Sequence, residues 1–148
     1  MAERRLKDEP KQVLIIRTDT DPKMRKGKMI AQGGHASLAP LLDMMDKDRV
    51  RMKDPEDGKG YYRLSLLVKD DSPLDRWLNI RFKKIVVKGT KAQLVEAYQE
   101  AKRNDIPCAL IEDAGLTEFK GEITLTAVGI GPDDPDKIDK ITENFELL

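Results

Sequence analysis

Lys26-Gly27-Lys28 is followed by Gln32 and His35, which places an amine, an amide and an imidazole at helical spacing. With Lys28 at the origin of a helical wheel, Gln32 falls at about 40° and His35 at about −20°, on one face. Much later come Asp113-Ala114-Gly115-Leu116-Thr117 and then Thr124 and Thr126, a carboxylate and hydroxyls around a strand end. Ester hydrolysis needs an oriented water, a proton acceptor and a donor for the developing oxyanion, and these groups are of those types. Taken singly they also have plainer readings. A lysine beside a carboxylate can be an ion pair, a lone histidine can be structural, and the threonines can be ordinary turn and strand residues.

For these blocks to meet, the chain must fold around a sheet. Gln12–Arg17 (QVLIIR) is a short apolar run that reads as a buried strand. A helix of roughly residues 27–45 follows. Ile30, Ala31, Gly34, Leu38, Leu41 and Leu42 lie opposite the polar face and are expected to cover the sheet. Gly34, inside that stripe, suggests a close backbone approach, and Pro40 suggests a kink. Lys84–Lys88 (KIVVK) and Cys108–Glu112 (CALIE) read as further strands, and Ile123–Ile130 as a fourth. Thr90 and Gln93 form a capping box for a helix with Leu94, Val95, Tyr98 and Ala101 inward, and Asp134-Pro135 opens a last short helix. This order predicts a compact three-layer α/β domain, a four-stranded mixed sheet flanked by helices. Asp113 then sits at the carboxyl end of a strand and Lys28 in the first turn after another, so both can reach one crevice.

Residues 1–11 read as a flexible arm and 12–148 as one domain with an inserted segment at about 43–75. Within the insertion, Asp54–Gly60 is loop-like. Tyr61–Lys69 alternates Tyr62, Leu64, Leu66 and Val68, as an inserted strand or hairpin would, paired with the sheet edge or a second subunit. Leu74–Arg81 forms a short helical piece around Trp77.

Lys and Arg total 27 and Asp and Glu 27, which excludes a uniformly basic coat and makes any polyanion contact local. Lys23, Arg25, Lys26 and Lys28 form one cluster, Arg81, Lys83, Lys84 and Lys88 another, and the tail is acidic. Cys108 is the single cysteine, so an internal disulfide and the usual zinc clusters are ruled out and a reducing compartment fits. No apolar run approaches the roughly 20 residues of a membrane span, and residues 1–11 lack a signal-peptide core, so a cytoplasmic protein is expected. There is no phosphate-binding loop, no nucleophile elbow, and no dinucleotide fingerprint at Gly129–Pro132.

The ordered blocks QVLIIR, TD, KMRKGKMIAQGGHAS, KIVVK, PCALIEDAGLTEF, TAVGIGP and KIDKIT…LL resemble the archaeal and eukaryotic (type 2) peptidyl-tRNA hydrolases. The resemblance covers most of the chain outside residues 1–11 and about 43–75. It implies cleavage of the ester joining a peptide to the 3′ end of tRNA, without metal or cofactor, in an often dimeric protein. The family's proposed catalytic positions fall on Lys28, Gln32, His35, Asp113, Thr117 and Thr126. By type, Asp113 suits activating or orienting water, Thr117 or Thr126 holding it, and Lys28 stabilising the oxyanion or binding the terminal ribose-phosphate. The acceptor stem would lie on Lys23, Arg25, Lys26, Lys84 and Lys88 through phosphate contacts. Two other readings compete: a non-catalytic RNA- or protein-binding regulator on the same fold, and a hydrolase for another acyl ester or amide. The insertion departs from the family pattern, either as a tolerated surface segment or as an arm for tRNA, peptide or a second subunit.

Overall fold

The computed structural model describes residues 8–115, 119 and 121–148. Thr117 lies outside them, as do residues 1–7 of the expected arm; the rest of that arm is not free, since Glu9 and Pro10 are buried and Lys11 opens β1. Strand β1 (Lys11–Arg17) leads into helix α1 (Lys26–Asp43), and the strands β2 (Asp46–Lys53) and β3 (Gly60–Ser65) follow. Helix α2 (Pro73–Asn79), β4 (Lys84–Gly89), α3 (Lys91–Arg103), β5 (Cys108–Asp113), β6 (Thr124–Asp133), α4 (Pro135–Thr142) and β7 (Glu146–Leu147) complete the order.

The sheet runs β5-β6-β1-β4-β7. The expected four strands carry it, and the two-residue β7 adds an antiparallel edge to β4. β1 and β4 are parallel, with Leu14 opposite Val86 and Ile16 opposite Lys88. β6 is antiparallel to both β1 and β5. β1, β4 and β5 therefore point the same way, and their carboxyl ends meet the start of β6 along one edge. Both faces of β1 are buried, which is why its sequence reads as an unbroken apolar run. Val13, Ile15, Val87, Val128 and Ile130 pack on one side with Leu94, Ala97 and Ala101 of α3 and Ile138 and Ile141 of α4. Leu14, Ile16, Ala109, Ile111 and Ala127 pack on the other, with Met24 and Ala36. The α3 capping box forms: the Thr90 amide donates to Gln93 Oε1 at 2.9 Å and the Gln93 amide to Thr90 Oγ1 at 3.4 Å.

The orientation of α1 corrects the sequence expectation. Its buried residues are Gln32, Gly33, Ala36 and Pro40. The apolar stripe faces away from the sheet: Ile30 is 77%, Leu38 53% and Leu42 45% exposed. Gly34 has open space where a side chain would be, so the close approach is not there. It is at Gly129 on β6, where a Cβ would run into the Ala36 carbonyl and the Pro40 ring. Small residues on both sides let the helix settle deeply, and that depth outweighs the area a leucine stripe would have buried. The helix continues through Pro40 to Asp43.

The segment expected to be an insertion holds a hairpin. β2 and β3 pair antiparallel with each other and form a separate two-stranded sheet. β3 ends at Ser65, and Tyr62 and Leu64 are about half exposed, so its alternation marks strand geometry without burial.

Candidate active site

The carboxyl edge of the sheet positions the polar groups. α1 begins at Lys26 beyond β1, and Lys28 lies in its first turn. Asp113 is the last residue of β5. Lys28 Nζ and Asp113 Oδ1 are 2.6 Å apart, and both side chains are largely shielded, 13% and 14% exposed. The other carboxylate oxygen accepts the Gly115 amide at 3.0 Å. Gly115 is in the left-handed region at φ 79°, and a side chain there would strike the backbone of Gly121 and Glu122. Glycine thus allows the tight turn that returns an N–H to Asp113. Phe119 is buried below, its ring centroid 6.0 Å from Lys28 Nζ.

These contacts tune the carboxylate. The Lys28 hydrogen bond holds the Asp113 carboxyl below the usual carboxylate range. Burial opposes this, while the Gly115 amide and the charges of Lys28 and His35 reinforce it. His35 itself is exposed on α1.

One turn along α1, Gln32 turns inward. Thr126 Oγ1 donates to Gln32 Oε1 and also approaches the Ile111 carbonyl at 3.4 Å. Thr126 is fully buried and Gln32 is 3% exposed. A buried hydroxyl or amide left unpaired costs about 1–3 kcal/mol, so this pair links α1 firmly to β6 and β5. Thr124, two residues earlier, donates to the Glu122 carbonyl at 3.1 Å.

A brace at this edge was not apparent from the sequence. Arg17 Nε donates to Asp19 Oδ1 at 2.8 Å, Arg17 Nη1 to the Leu125 carbonyl at 3.1 Å, and the Lys91 amide to Asp19 Oδ1 at 3.1 Å. Partial burial pushes the Asp19 carboxyl up, but Arg17 and the Lys91 amide pull it further down. The ends of β1, β6 and α3 are thereby tied together. Arg17 and Asp19 carry no motif spacing that would have flagged them.

The basic candidates separate. Lys23, Arg25 and Lys26 are exposed around the start of α1, beside Lys28. Lys88 lies near the carboxyl end of β4, 3.7 Å from Glu146. Lys84 opens β4 at the opposite edge, over the rings of Trp77 (5.2 Å) and Phe82 (4.7 Å), where burial lowers the pKa of its ammonium. Among the described residues no three His, Cys, Asp or Glu side chains are gathered to hold a metal, and no helix is long and apolar enough to cross a membrane.

The family model described as peptidyl-tRNA hydrolase PTH2 matches residues 10–148. A peptidyl-tRNA hydrolase of Methanocaldococcus jannaschii is 39% identical over 139 residues, covering 93% of this chain and 99% of the relative. One from Staphylothermus marinus is also 39% identical, covering 95% of this chain and 96% of its own length. A solved structure of a protein of unknown function from Agrobacterium, Atu0240, superposes with a TM-score of 0.50 at 12% identity and covers 95% of this chain and 98% of its own; at that identity the likeness is one of fold. A match of this extent, with sequence identity carried across nearly the whole length of both chains, places the protein in the peptidyl-tRNA hydrolase PTH2 family.

Proposed function

We propose that this protein hydrolyses the ester between peptide and tRNA in peptidyl-tRNA, recycling the tRNA in the cytoplasm. The observation that carries the reading is the shielded Lys28–Asp113 pair, 2.6 Å apart at the carboxyl edge of the sheet, in a chain of this family. Asp113 orients the attacking water and Lys28 stabilises the charge that builds on the ester oxygen. A carboxylate held below its ordinary pKa is a weak proton acceptor at neutral pH, which favours orientation and electrostatics over full proton abstraction. When the substrate draws Lys28 towards the developing oxyanion, Asp113 loses its strongest partner and becomes more basic as charge develops. Gln32 and Thr126 keep α1, and with it Lys28, in register with β5. His35 adds to the positive field at the carboxylate, and Thr117 belongs to the same set by its place in the motif. Lys23, Arg25 and Lys26 receive the phosphates beside the 3′ end, with Lys88 and Lys84 further along β4.

We also read the exposed stripe of α1 as the surface on which two copies meet. Beside it lies a cleft of about 690 Å³ lined by Leu14, Ile16, Met29, Ile30, Val86 and Leu148, with Lys26 and Lys84 also in its wall. Apolar surface gathered in this way favours a partner.

Hydrolysis of an N-blocked aminoacyl-tRNA, with Lys28→Ala as control, tests the reading. Turnover by the wild type and its loss in a folded Lys28→Ala support it. No turnover by the wild type, or unchanged turnover in the variant, rejects it.

A further inference from the structure

We propose that the β2–β3 hairpin is a second tRNA-binding element, whose basic face holds the phosphodiester backbone away from the scissile ester. The proposal rests on peptidyl-tRNA being the substrate. Directly opposed residues of an antiparallel pair project to the same side. Lys47 opposes Leu64 and Arg49 opposes Tyr62, so these four share one face, while Asp48 opposes Arg63 on the other. On the first face Lys47 Nζ lies 4.2 Å and Arg49 Cζ 5.8 Å from the centre of the Tyr62 ring. The ring aligns two cations that take part in no ion pair among the described residues. Arg51 and Lys53 extend the run of cations along β2.

Two acidic groups at the tip, Asp54 and Asp57, are engaged locally. Asp54 accepts the Glu56 amide at 2.8 Å and the Tyr61 hydroxyl at 3.1 Å, and Asp57 accepts the Lys59 amide at 2.9 Å. Asp54 and Asp57 thus fold the tip, and Lys47 and Arg49 form no ion pair with them among the described residues. The arm also contributes little to the core: seven of the eight β2 residues and all six of β3 are exposed. A free two-stranded hairpin gains little stability by itself, so an exposed one with a sorted basic and aromatic face has the composition of a polyanion contact.

Its placement fits. The arm leaves the end of α1, about 22 Å along the helix axis from Lys28. An acceptor stem together with its single-stranded 3′ end can span that separation, so one tRNA can touch both. Phosphate contacts at a distance fix register without reading sequence.

The test compares wild type, K47E/R49E and Tyr62→Ala, with K137E/K140E on α4 as an equal change of charge elsewhere. Binding of deacylated tRNA is measured against salt. Hydrolysis is measured on full-length N-blocked aminoacyl-tRNA and on a short fragment carrying only the 3′-terminal nucleotides. K47E/R49E is expected to weaken tRNA binding on the order of 10- to 100-fold and to make the log–log salt slope shallower by about 2. Tyr62→Ala should weaken it about 2- to 5-fold, and K137E/K140E should bind as wild type. KM for the full-length substrate rises in the arm variants while kcat and fragment hydrolysis are unchanged. Wild-type affinity and slope in K47E/R49E overturn the proposal, as does an equal loss in K137E/K140E, which would make the effect one of net charge. A change of mass in light scattering without a change in tRNA binding also overturns it and assigns the arm to contact between copies. Cleavage of the fragment reads the active site independently. Arm-dependent tRNA binding by a wild type that cleaves neither substrate sustains the arm and rejects the hydrolase reading.

Discussion

Asp113 is held by one ammonium and one backbone amide, and both act on its ionised form. Asp113→Asn nearly preserves shape and removes the charge. Hydrolysis should fall about 10²–10⁴-fold while the far-ultraviolet circular dichroism stays native. Near-wild-type turnover in a folded variant removes Asp113 from the mechanism. The depressed pKa also has a signed consequence. A carboxylate whose folded-state pKa lies below its unfolded value stabilises the fold above the unfolded pKa, and that contribution is lost as pH falls through the folded value. The acid limb of kcat/KM should accordingly lie below the ordinary aspartate value of about 3.9. A limb near pH 6 would assign the control to a different group. At this scale much was legible: Lys28 and Asp113 stood out by type and by strand-end position. Gln32 was read as part of an open polar face, yet it is buried against Thr126, because the wheel shows which residues share a face and not which face the sheet takes.

Helix α1 is the element that brings Lys28 to Asp113, and its seat is Gly129. Gly129→Ala places a methyl against the Ala36 carbonyl and Pro40, so the helix must lift. The expected cost is about 1–3 kcal/mol in urea denaturation, with a fall in turnover as the Lys28–Asp113 and Gln32–Thr126 contacts loosen. Gly34→Ala, in open space, should stabilise the helix slightly or leave it unchanged. Equal destabilisation by the two substitutions would count against close packing at Gly129. The pair also shows why amphipathic pattern misled here. Small residues carry little hydrophobic signal, but only they let two backbones meet. The hairpin was half legible: the alternation of Tyr61–Lys69 announced a strand, whereas its partner β2, of sequence DKDRVRMK, has no apolar face to announce it.

Across the whole molecule, charge and apolar surface adjoin at the start of α1, where Lys26 and Lys84 share the lining of the apolar cleft. Lys23, Arg25 and Lys26 crowd the carboxyl edge, and the apolar flank of α1 and the cleft beside it lie along one side. If two copies meet on that flank, Ile30→Glu should shift the protein to monomer in light scattering with little change in thermal midpoint, since Ile30 is 77% exposed in the single chain. An unchanged mass would show that the stripe does not hold a dimer. Charge reversal at Lys23, Arg25 and Lys26 should weaken tRNA binding without melting the fold. The three cations of this cluster alone should contribute roughly −3 to the log–log salt slope. Salt-independent binding would reduce the cluster to a solvated face.

From its sequence alone, this protein could be read as an α/β chain with its strands, its capping box and a polar set that recurs in one family. These are local matters, decided by short runs of apolar residues, by turn chemistry and by motif order. Tertiary structure decided what depends on two distant segments at once. It chose the small-residue face of α1 for the core, because Gly129 across the sheet leaves room for it. It put Gln32 under Thr126 and left Ile30, Leu38 and Leu42 outside. It put Lys47 and Arg49 on the Tyr62 face of a hairpin, through a strand register that no single strand specifies.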